Sequence, residues 1–182
     1  QDAEDDIKRV VADAMEQVRP LMESRKHRCL VQTAPGNVAV SGDYKRLVQV
    51  VANLLHNAAK YTPEHGRIEV TLEASDDHVL LNVSDNGVGI APDLLPNVFE
   101  LFSQAERSSD REQGGLGLGL ALVKSLVELH GGSVSASSAG AQTGSTFSLR
   151  LPRMQARDAD AAATWPERGS NVAGAPLRVL VV

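Results

Sequence analysis

Apolar side chains recur at helical spacing in three parts of the chain and alternate with polar side chains in others. Helical spacing covers 4–25, 43–60 and a segment from Gly119 to about His130. Asp43 is placed to cap the second of these helices, and the pair Thr62-Pro63 is placed to end it. Alternation predicts a hairpin with strands at 67–73 and 78–84. Shorter runs predict further strands at 29–31, 38–40, 133–137 and 146–151, and a short helix at 94–101.

This order of elements predicts the α+β class, with one mixed sheet covered by helices. A polar segment at 103–114 lacks periodicity and is long for a connection inside a compact domain, which favours a functional lid. We place the folded domain at 11–152 and interpret 1–10 as the end of an upstream helical segment. A linker at 153–176 then precedes a new apolar run at 177–182.

Composition narrows the possible functions. The 182 residues carry 18 basic and 23 acidic side chains, a net charge of −5. Such a chain has no global positive field, so we expect no nucleic-acid binding and no direct membrane contact by this domain. A single cysteine excludes an internal disulfide and a thiolate zinc site, and it suits the reducing cytoplasm, where we expect the domain to work.

Three polar residues share one side of the helix at 43–60. At 100° per residue, Asn53, Asn57 and Lys60 form a stripe at the rim of the apolar face, whereas His56 lies off it. A solvated helix side is the plainer interpretation, but two asparagines inside a helix need a further reason because asparagine is a weak helix former. An amide oxygen can bind Mg²⁺, and a lysine one turn on can offset phosphate charge.

A second candidate follows the strand at 78–84. The segment Asp85–Ile90 places a carboxylate before two glycines, Gly87 and Gly89. A carboxylate only accepts hydrogen bonds, and adenine offers an amine donor where guanine offers a carbonyl. The arrangement fits adenine selection with close backbone approach, although a plain Asp-Asn-Gly turn remains open.

A third candidate opens the last helix, where glycines 115, 117 and 119 alternate with leucines. Backbone N–H groups at a glycine-rich helix start form an anion site. The spacing matches neither a P-loop nor a dinucleotide fingerprint, and close helix packing is the alternative explanation for the glycines.

Taken together and in this order, the segments resemble the ATP-binding catalytic domain of bacterial sensor histidine kinases, within the gyrase, heat-shock chaperone, histidine kinase and MutL ATPase superfamily. The resemblance covers about 11–152. Five segments carry it: 53–62 is similar to the asparagine box, 85–90 to the first glycine box, 98–102 to the phenylalanine box, 115–120 to the second glycine box, and 144–147 to the signature of the last strand.

The resemblance implies a two-layer α/β sandwich of Bergerat type with a largely antiparallel sheet. It implies ATP and Mg²⁺ as cofactors, with Asn57 as the metal ligand and Asn57 and Lys60 as the catalytic pair. Further nucleotide contacts follow from matching positions: Asn53 near the metal and phosphates, Lys60 on a phosphate, Tyr61 beside the nucleotide, Asp85 on the adenine amine, Gly87 and Gly89 around the base, Thr146 behind it, and Gly115, Gly117 and Gly119 along the phosphates.

The phenylalanines at 99 and 102 would anchor the lid in such a domain, with plain core packing as the alternative. Leu116 departs from the family pattern, which often has Thr or Ser there.

The implied reaction moves the γ-phosphoryl group of ATP to a histidine. None of the five histidines lies in the family's acceptor sequence, so the resemblance implies an upstream dimerisation and phosphoacceptor domain as partner. A receiver domain or response regulator is the second expected partner, and 177–182 resembles the first strand of a receiver domain, as in a hybrid kinase. An anti-sigma serine kinase, another ATPase of the superfamily, or a degenerate nucleotide-binding module are the alternatives.

Overall fold

The computed structural model of the protein describes residues 3–100 and 118–154. In these ranges no helix is both long and apolar enough to cross a bilayer. The elements in chain order are β1 (Ala3–Asp6), α1 (Ile7–Ser24), β2 (Arg28–Thr33), β3 (Ala39–Gly42), α2 (Tyr44–Tyr61), β4 (Arg67–Ala74), β5 (His78–Asp85), a 3-10 turn (Leu95–Asn97), α3 (Leu118–Leu129), β6 (Ser133–Ser137) and β7 (Ser145–Pro152).

The main sheet has five strands in the order β2-β4-β5-β7-β6. Only the pair β2–β4 is parallel, and the pairs β4–β5, β5–β7 and β6–β7 are antiparallel. The sheet is therefore mixed and largely antiparallel, which confirms the predicted fold class.

Helices cover one face of this sheet. The central helix α2 lies between α1 and α3. Helix α1 contacts β2, α2 contacts β5, and α3 contacts β6. Side chains of alternate residues on the central strands point into this layer and are buried, as are the apolar stripes of the helices. Each fully buried Leu or Phe contributes about 1.5–3 kcal/mol, so this interface holds the domain together.

The boundaries of α2 follow from its sequence signals. The Asp43 carboxylate accepts a hydrogen bond from the Arg46 N–H at 3.2 Å, and Thr62 leaves the helix with extended backbone (φ −97°, ψ 123°) immediately before Pro63. Both predicted ends are confirmed. The end of α2 matters most for function, because it carries the candidate residues Asn57 to Tyr61.

The first predicted helix, at 4–25, is wrong at its beginning. Residues 3–6 form β1, which pairs antiparallel with β3 in a separate two-stranded sheet, and α1 begins only at Ile7, capped by the Asp6 side chain. Helical spacing cannot exclude a strand over so few residues, and the partner strand is distant in sequence. The predicted domain boundary between 10 and 11 falls inside α1, whose Ile7 and Val10 are buried in the core.

Pro20 neither ends nor interrupts α1, which continues to Ser24. Proline removes one backbone donor and crowds the preceding turn, but here only one further turn follows it.

The short helical piece predicted at about 94–101 is confirmed only in part, because its described residues form a 3-10 helix of three residues. This turn covers Leu95–Asn97, and within it the Asn97 N–H donates to the Leu94 carbonyl at 3.0 Å. Leu101 lies outside the described residues.

Candidate functional site

Asp85 lies where the core-facing row of the sheet changes from apolar to polar. Val83 pairs with Phe147 in the buried row, and two residues on, Asp85 pairs with Ser145 on the same face. The Asp85 carboxylate accepts one hydrogen bond from the Gly87 N–H at 2.9 Å and another from the Ser145 hydroxyl at 2.8 Å. Each oxygen keeps a free lone pair, so the fixed carboxylate can accept a further donor from a ligand.

The loop after β5 approaches the end of α2 closely. A Cβ on Gly87 would lie 2.3 Å from the Tyr61 carbonyl oxygen and 3.0 Å from Asp85 Oδ1. The Val88 N–H donates to that same Tyr61 carbonyl at 3.2 Å. Glycine is therefore required at 87 by packing, and the contact brings the asparagine-bearing helix and the carboxylate to one place.

Gly89 is required for two reasons. Its φ of +69° lies in the left-handed region, and a Cβ there would lie 2.1 Å from the Gly140 carbonyl oxygen. The loop Asp85–Ile90 is thus fixed between α2 on one side and the β6–β7 turn on the other.

The polar stripe of α2 lies at the edge of the buried face, as predicted: Asn53, Asn57, Lys60 and Tyr61 are all half-buried. The Asn53 amide donates to the Gly119 carbonyl of α3 at a long 3.5 Å. Tyr61 touches the Asp85–Ile90 loop, and Asn57 lies one helical turn from each of these two contacts. The stripe therefore runs from the start of α3 to the loop that carries Asp85, the residue predicted to bind adenine.

Lys60 and Tyr61 interact directly. The ammonium nitrogen lies 5.3 Å from the centre of the tyrosine ring, within cation–π range. Burial raises the pKa of the Tyr61 phenol above its ordinary value, and the ring offers an apolar face beside the polar stripe.

Two residues near the end of α1 hold the end of α2, and the sequence analysis missed both. The Arg25 guanidinium donates to the carbonyls of Lys60 (3.3 Å) and Thr62 (3.4 Å), and His27 Nε2 lies 3.0 Å from the Thr62 carbonyl. The last carbonyls of a helix need donors, and cations are favoured at that end. No local sequence pattern predicts this contact, because 35 residues separate Arg25 from Lys60.

Thr146, predicted to contact the base, is placed on the wrong face of the sheet for that role. It pairs with Ser84, and the two hydroxyls are 2.9 Å apart on the face opposite Asp85. The residue that touches the Asp85 carboxylate is Ser145. Strand alternation could have found it, since Ser145 has the same parity as the buried Phe147 and Leu149.

The second glycine segment is only partly described. Gly119 lies in the first turn of α3 and is exposed, and among the described residues no atom outside its own helix lies within 4 Å of the position of a Cβ. Gly115, Gly117, Phe102 and the predicted lid at 103–114 lie outside the described residues. Phe99 is half-buried and packs edge-on against Phe147 with ring centres 6.0 Å apart, which favours the core-packing interpretation for this phenylalanine.

A Ser-His-Asp cluster at the β4–β5 turn is not a nucleophilic site. Ser75 Oγ and Asp77 Oδ1 both lie 2.6 Å from the same ring nitrogen of His78, Nδ1. A triad needs the serine and the carboxylate on opposite nitrogens. The hydrogen bond from His78 lowers the pKa of the Asp77 carboxyl, and the cluster closes the turn.

The side-chain oxygens near α2 suit Mg²⁺ better than a metal ion that is bound entirely by protein ligands. No group of three His, Cys, Asp or Glu side chains that could hold a metal occurs among residues 3–100 and 118–154. Mg²⁺ characteristically takes one or two protein oxygens and completes its shell with phosphates and water, which an amide oxygen on Asn57 would suit. The carboxylate of Asp85 and the glycine-lined loop likewise suit an adenine ring.

Thr62 gives a stability prediction at this site. It is 0% exposed, and its hydroxyl has no hydrogen-bond partner in the described structure. We expect Thr62→Val to raise the free energy of unfolding by about 1 kcal/mol, because the methyl group keeps the shape and removes an unsatisfied polar atom. Urea denaturation measures this. Thr71→Val is the control, since that hydroxyl accepts from Asn82 at 3.4 Å; a loss of stability at Thr62→Val would contradict the expectation.

Comparison with known proteins agrees with this geometry. Residues 42–155 match the sequence model of the histidine kinase-, DNA gyrase B- and HSP90-like ATPases. The sensor histidine kinase RppB of Synechocystis sp. is 38% identical over 117 residues, which make up 64% of this chain and 26% of that protein. The chain spans between 9% and 30% of the length of such curated relatives.

Solved structures show the same architecture. The mycobacterial sensor histidine kinase MprB superposes with a TM-score of 0.71 at 32% identity, over 84% of this chain and 98% of that one. Full-length ShkA in complex with AMPPNP superposes with a TM-score of 0.73 at 29% identity, over 86% of this chain and 32% of that one.

Proposed function

Because this chain belongs to the family of histidine kinase-, DNA gyrase B- and HSP90-like ATPases, we propose that it is the catalytic domain of a sensor histidine kinase. It binds ATP with Mg²⁺ and transfers the γ-phosphoryl group to a histidine on a separate dimerisation and phosphoacceptor domain. The observation that supports this best is the convergence of the Asp85 carboxylate, held by Gly87 and Ser145, with the asparagine-bearing end of α2.

Asp85 would accept a hydrogen bond from the adenine amine, with Gly87 and Gly89 beside the base and Ser145 behind the carboxylate. Tyr61 would border the nucleotide. Asn57 would hold Mg²⁺, which, when bound, offsets phosphate charge.

The phosphate side of the site would use Asn53, Lys60 and Gly119, together with glycines 115 and 117. In the reaction the bond from the γ-phosphorus to the β–γ bridging oxygen breaks, a phosphorus–nitrogen bond forms, ADP leaves, and the imidazole nitrogen loses its proton. Such a transfer depends on positioning and charge neutralisation more than on covalent help from the protein.

The proposed partners are the phosphoacceptor domain and, after it, a receiver domain or response regulator. The named sensor kinases among the relatives support this assignment. The need for ATP and the single cysteine favour a cytoplasmic location.

The test uses this chain with ATP labelled in the γ-phosphate. We expect no stoichiometric labelling of the chain alone and strong labelling of a phosphoacceptor domain supplied as a second polypeptide. The label must be lost in acid, as a phosphoramidate is, and must disappear when the acceptor histidine is replaced by glutamine. An acid-stable label would indicate a serine kinase, and labelling of the chain alone near one phosphate per molecule would overturn the proposal.

Gly119 provides an independent prediction on the phosphate side. Within the described structure nothing occupies the space of a Cβ there, so Gly119→Ala should stabilise the free domain by about 0.5–1 kcal/mol through helix propensity. If a ligand passes close to this backbone, the same change should weaken ATP binding about tenfold by steric overlap. Thermal unfolding and calorimetric titration measure the two effects.

The control for Gly119→Ala is Ser125→Ala, which changes an exposed position of the same helix. It should raise stability slightly and leave ATP affinity unchanged. Unchanged affinity in Gly119→Ala would show that nucleotide does not approach this turn.

A further inference from the structure

The adenine-reading loop, Asp85–Ile90, is attached to the β6–β7 turn by backbone hydrogen bonds. The Gly144 N–H donates to the Gly87 carbonyl at 3.1 Å, and the Gln142 N–H donates to the Val88 carbonyl at 2.7 Å. A Cβ on Gly144, whose φ is +75°, would lie 2.1 Å from the Asp85 carbonyl oxygen. The two segments are therefore in direct backbone contact, and whatever fixes the turn also fixes the loop.

One side chain, Ser138, joins three parts of this assembly. Its hydroxyl oxygen accepts from the Ile90 N–H at 3.0 Å and from the Gly140 N–H at 3.3 Å. It donates to the Gly144 carbonyl at 2.7 Å, with the Gly140 carbonyl farther away at 3.3 Å. A serine hydroxyl has one proton and two lone pairs, and these contacts use all of them.

The contacts of Ser138 reach both ends of the loop. Ile90 is its last residue. Gly144 immediately precedes Ser145, whose hydroxyl holds the Asp85 carboxylate at the other end. Without the hydroxyl, two N–H groups and one carbonyl would lose a partner in a half-buried place, which favours local rearrangement of the turn.

We propose that Ser138 is a positioning residue for nucleotide recognition, which holds the adenine-reading loop in register with Ser145; this rests on the proposed function of the domain. Ser138 touches no part of the proposed phosphate side on α2. Its loss therefore weakens recognition of the base and leaves the contribution of Mg²⁺ and the phosphates intact.

The experiment compares Ser138→Ala with Ser137→Ala, its exposed neighbour on β6, and with Ser138→Thr, which keeps a hydroxyl. Titration calorimetry gives the dissociation constants of ATP, ADP and GTP, each with and without Mg²⁺. For Ser138→Ala we expect the affinities for ATP and for ADP to fall by the same factor, about tenfold. The preference for ATP over GTP should become smaller. The change in ATP affinity on adding Mg²⁺ should stay the same. Ser137→Ala should match the unsubstituted protein, and Ser138→Thr should recover most of the loss.

Amide hydrogen exchange separates positioning from general stability. In Ser138→Ala the Ile90 amide should exchange faster, while the amides of Leu81 and Val83 in the centre of the sheet keep their rates. Unchanged ATP affinity in Ser138→Ala, or faster exchange across the whole sheet, would overturn the proposal. If the unsubstituted protein binds no ATP, the proposed function fails instead, and the rate at Ile90 still decides whether Ser138 holds the loop.

Discussion

Replacing Asp85 with asparagine is expected to weaken ATP binding about 100-fold while leaving the domain folded. A hydrogen bond to a charged group contributes about 1.5–3 kcal/mol, and asparagine presents an amide N–H donor where the ligand also offers a donor. The fold tolerates the change, because the asparagine oxygen still accepts from the Gly87 N–H at the position of Oδ1 and the amide can donate to the Ser145 hydroxyl oxygen. Titration calorimetry measures the affinity, and circular dichroism checks the fold.

Base selectivity gives the Asp85→Asn variant a second readout. Guanine carries a carbonyl where adenine carries the amine, so the preference for ATP over GTP should narrow in the variant. Ser145→Ala should produce a smaller loss of ATP affinity, since the carboxylate remains but one of its two supports is removed.

Asp76→Asn is the matched control for Asp85→Asn: it removes the same charge from an exposed position in the β4–β5 turn. It should bind ATP like the unsubstituted protein. If Asp85→Asn and Asp76→Asn gave the same affinity, the assignment of Asp85 to adenine would be wrong, and the nucleotide would have to bind elsewhere.

The parts of the site that the sequence predicts are those encoded by local signals. Asp43 and Thr62-Pro63 mark the ends of α2 because capping and proline effects act within a few residues. Helical periodicity then places Asn53, Asn57 and Lys60 on one side, and the predicted strand at 78–84 places Asp85 at its end. Each inference uses only neighbours in the chain, and the structure agrees with each.

The contacts that the sequence analysis missed join segments that are distant in the chain. Arg25 and His27 hold carbonyls at the end of α2, and Ser138 holds Ile90, which is 48 residues away. Arginine, histidine and serine are common at surfaces, so their presence alone predicts no partner. The strand at 3–6 was missed for the same reason, since its pairing with β3 depends on a segment more than thirty residues later.

Thr146 is a different case, because the information was present. The segment Ser145–Pro152 alternates regularly, with Phe147, Leu149 and Leu151 on the buried face. Extending that alternation backwards by two residues selects Ser145 as the neighbour of Asp85 and places Thr146 on the other face. A role taken from motif position alone overlooked the strand's own periodicity.

Asn57→Ala is expected to remove the dependence of ATP binding on Mg²⁺ and to reduce phosphoryl transfer about 10²–10³-fold, the range found when one preorganised stabilising group is lost. In the unsubstituted domain, adding Mg²⁺ should strengthen ATP binding, because an amide oxygen on α2 and the phosphates would share the metal. Titrations with ATP in Mg²⁺ and in EDTA measure the first effect, and transfer to a supplied phosphoacceptor domain measures the second.

The variant Asn57→Asp distinguishes an effect on Mg²⁺ binding from an effect on the phosphates. Aspartate keeps an oxygen ligand and adds a negative charge, so we expect Mg²⁺ dependence to persist while ATP affinity without Mg²⁺ falls through repulsion of the phosphates. Asn37→Ala, at an exposed position between β2 and β3, should change neither measurement. Equal Mg²⁺ effects in Asn57→Ala and Asn37→Ala would show that the amide of Asn57 does not hold the metal. A metal held by Asn57 would stabilise the transferring phosphoryl group more strongly as charge develops on the departing ADP. In Asn57→Ala the rate of phosphoryl transfer must therefore fall by a larger factor than the affinity for ATP.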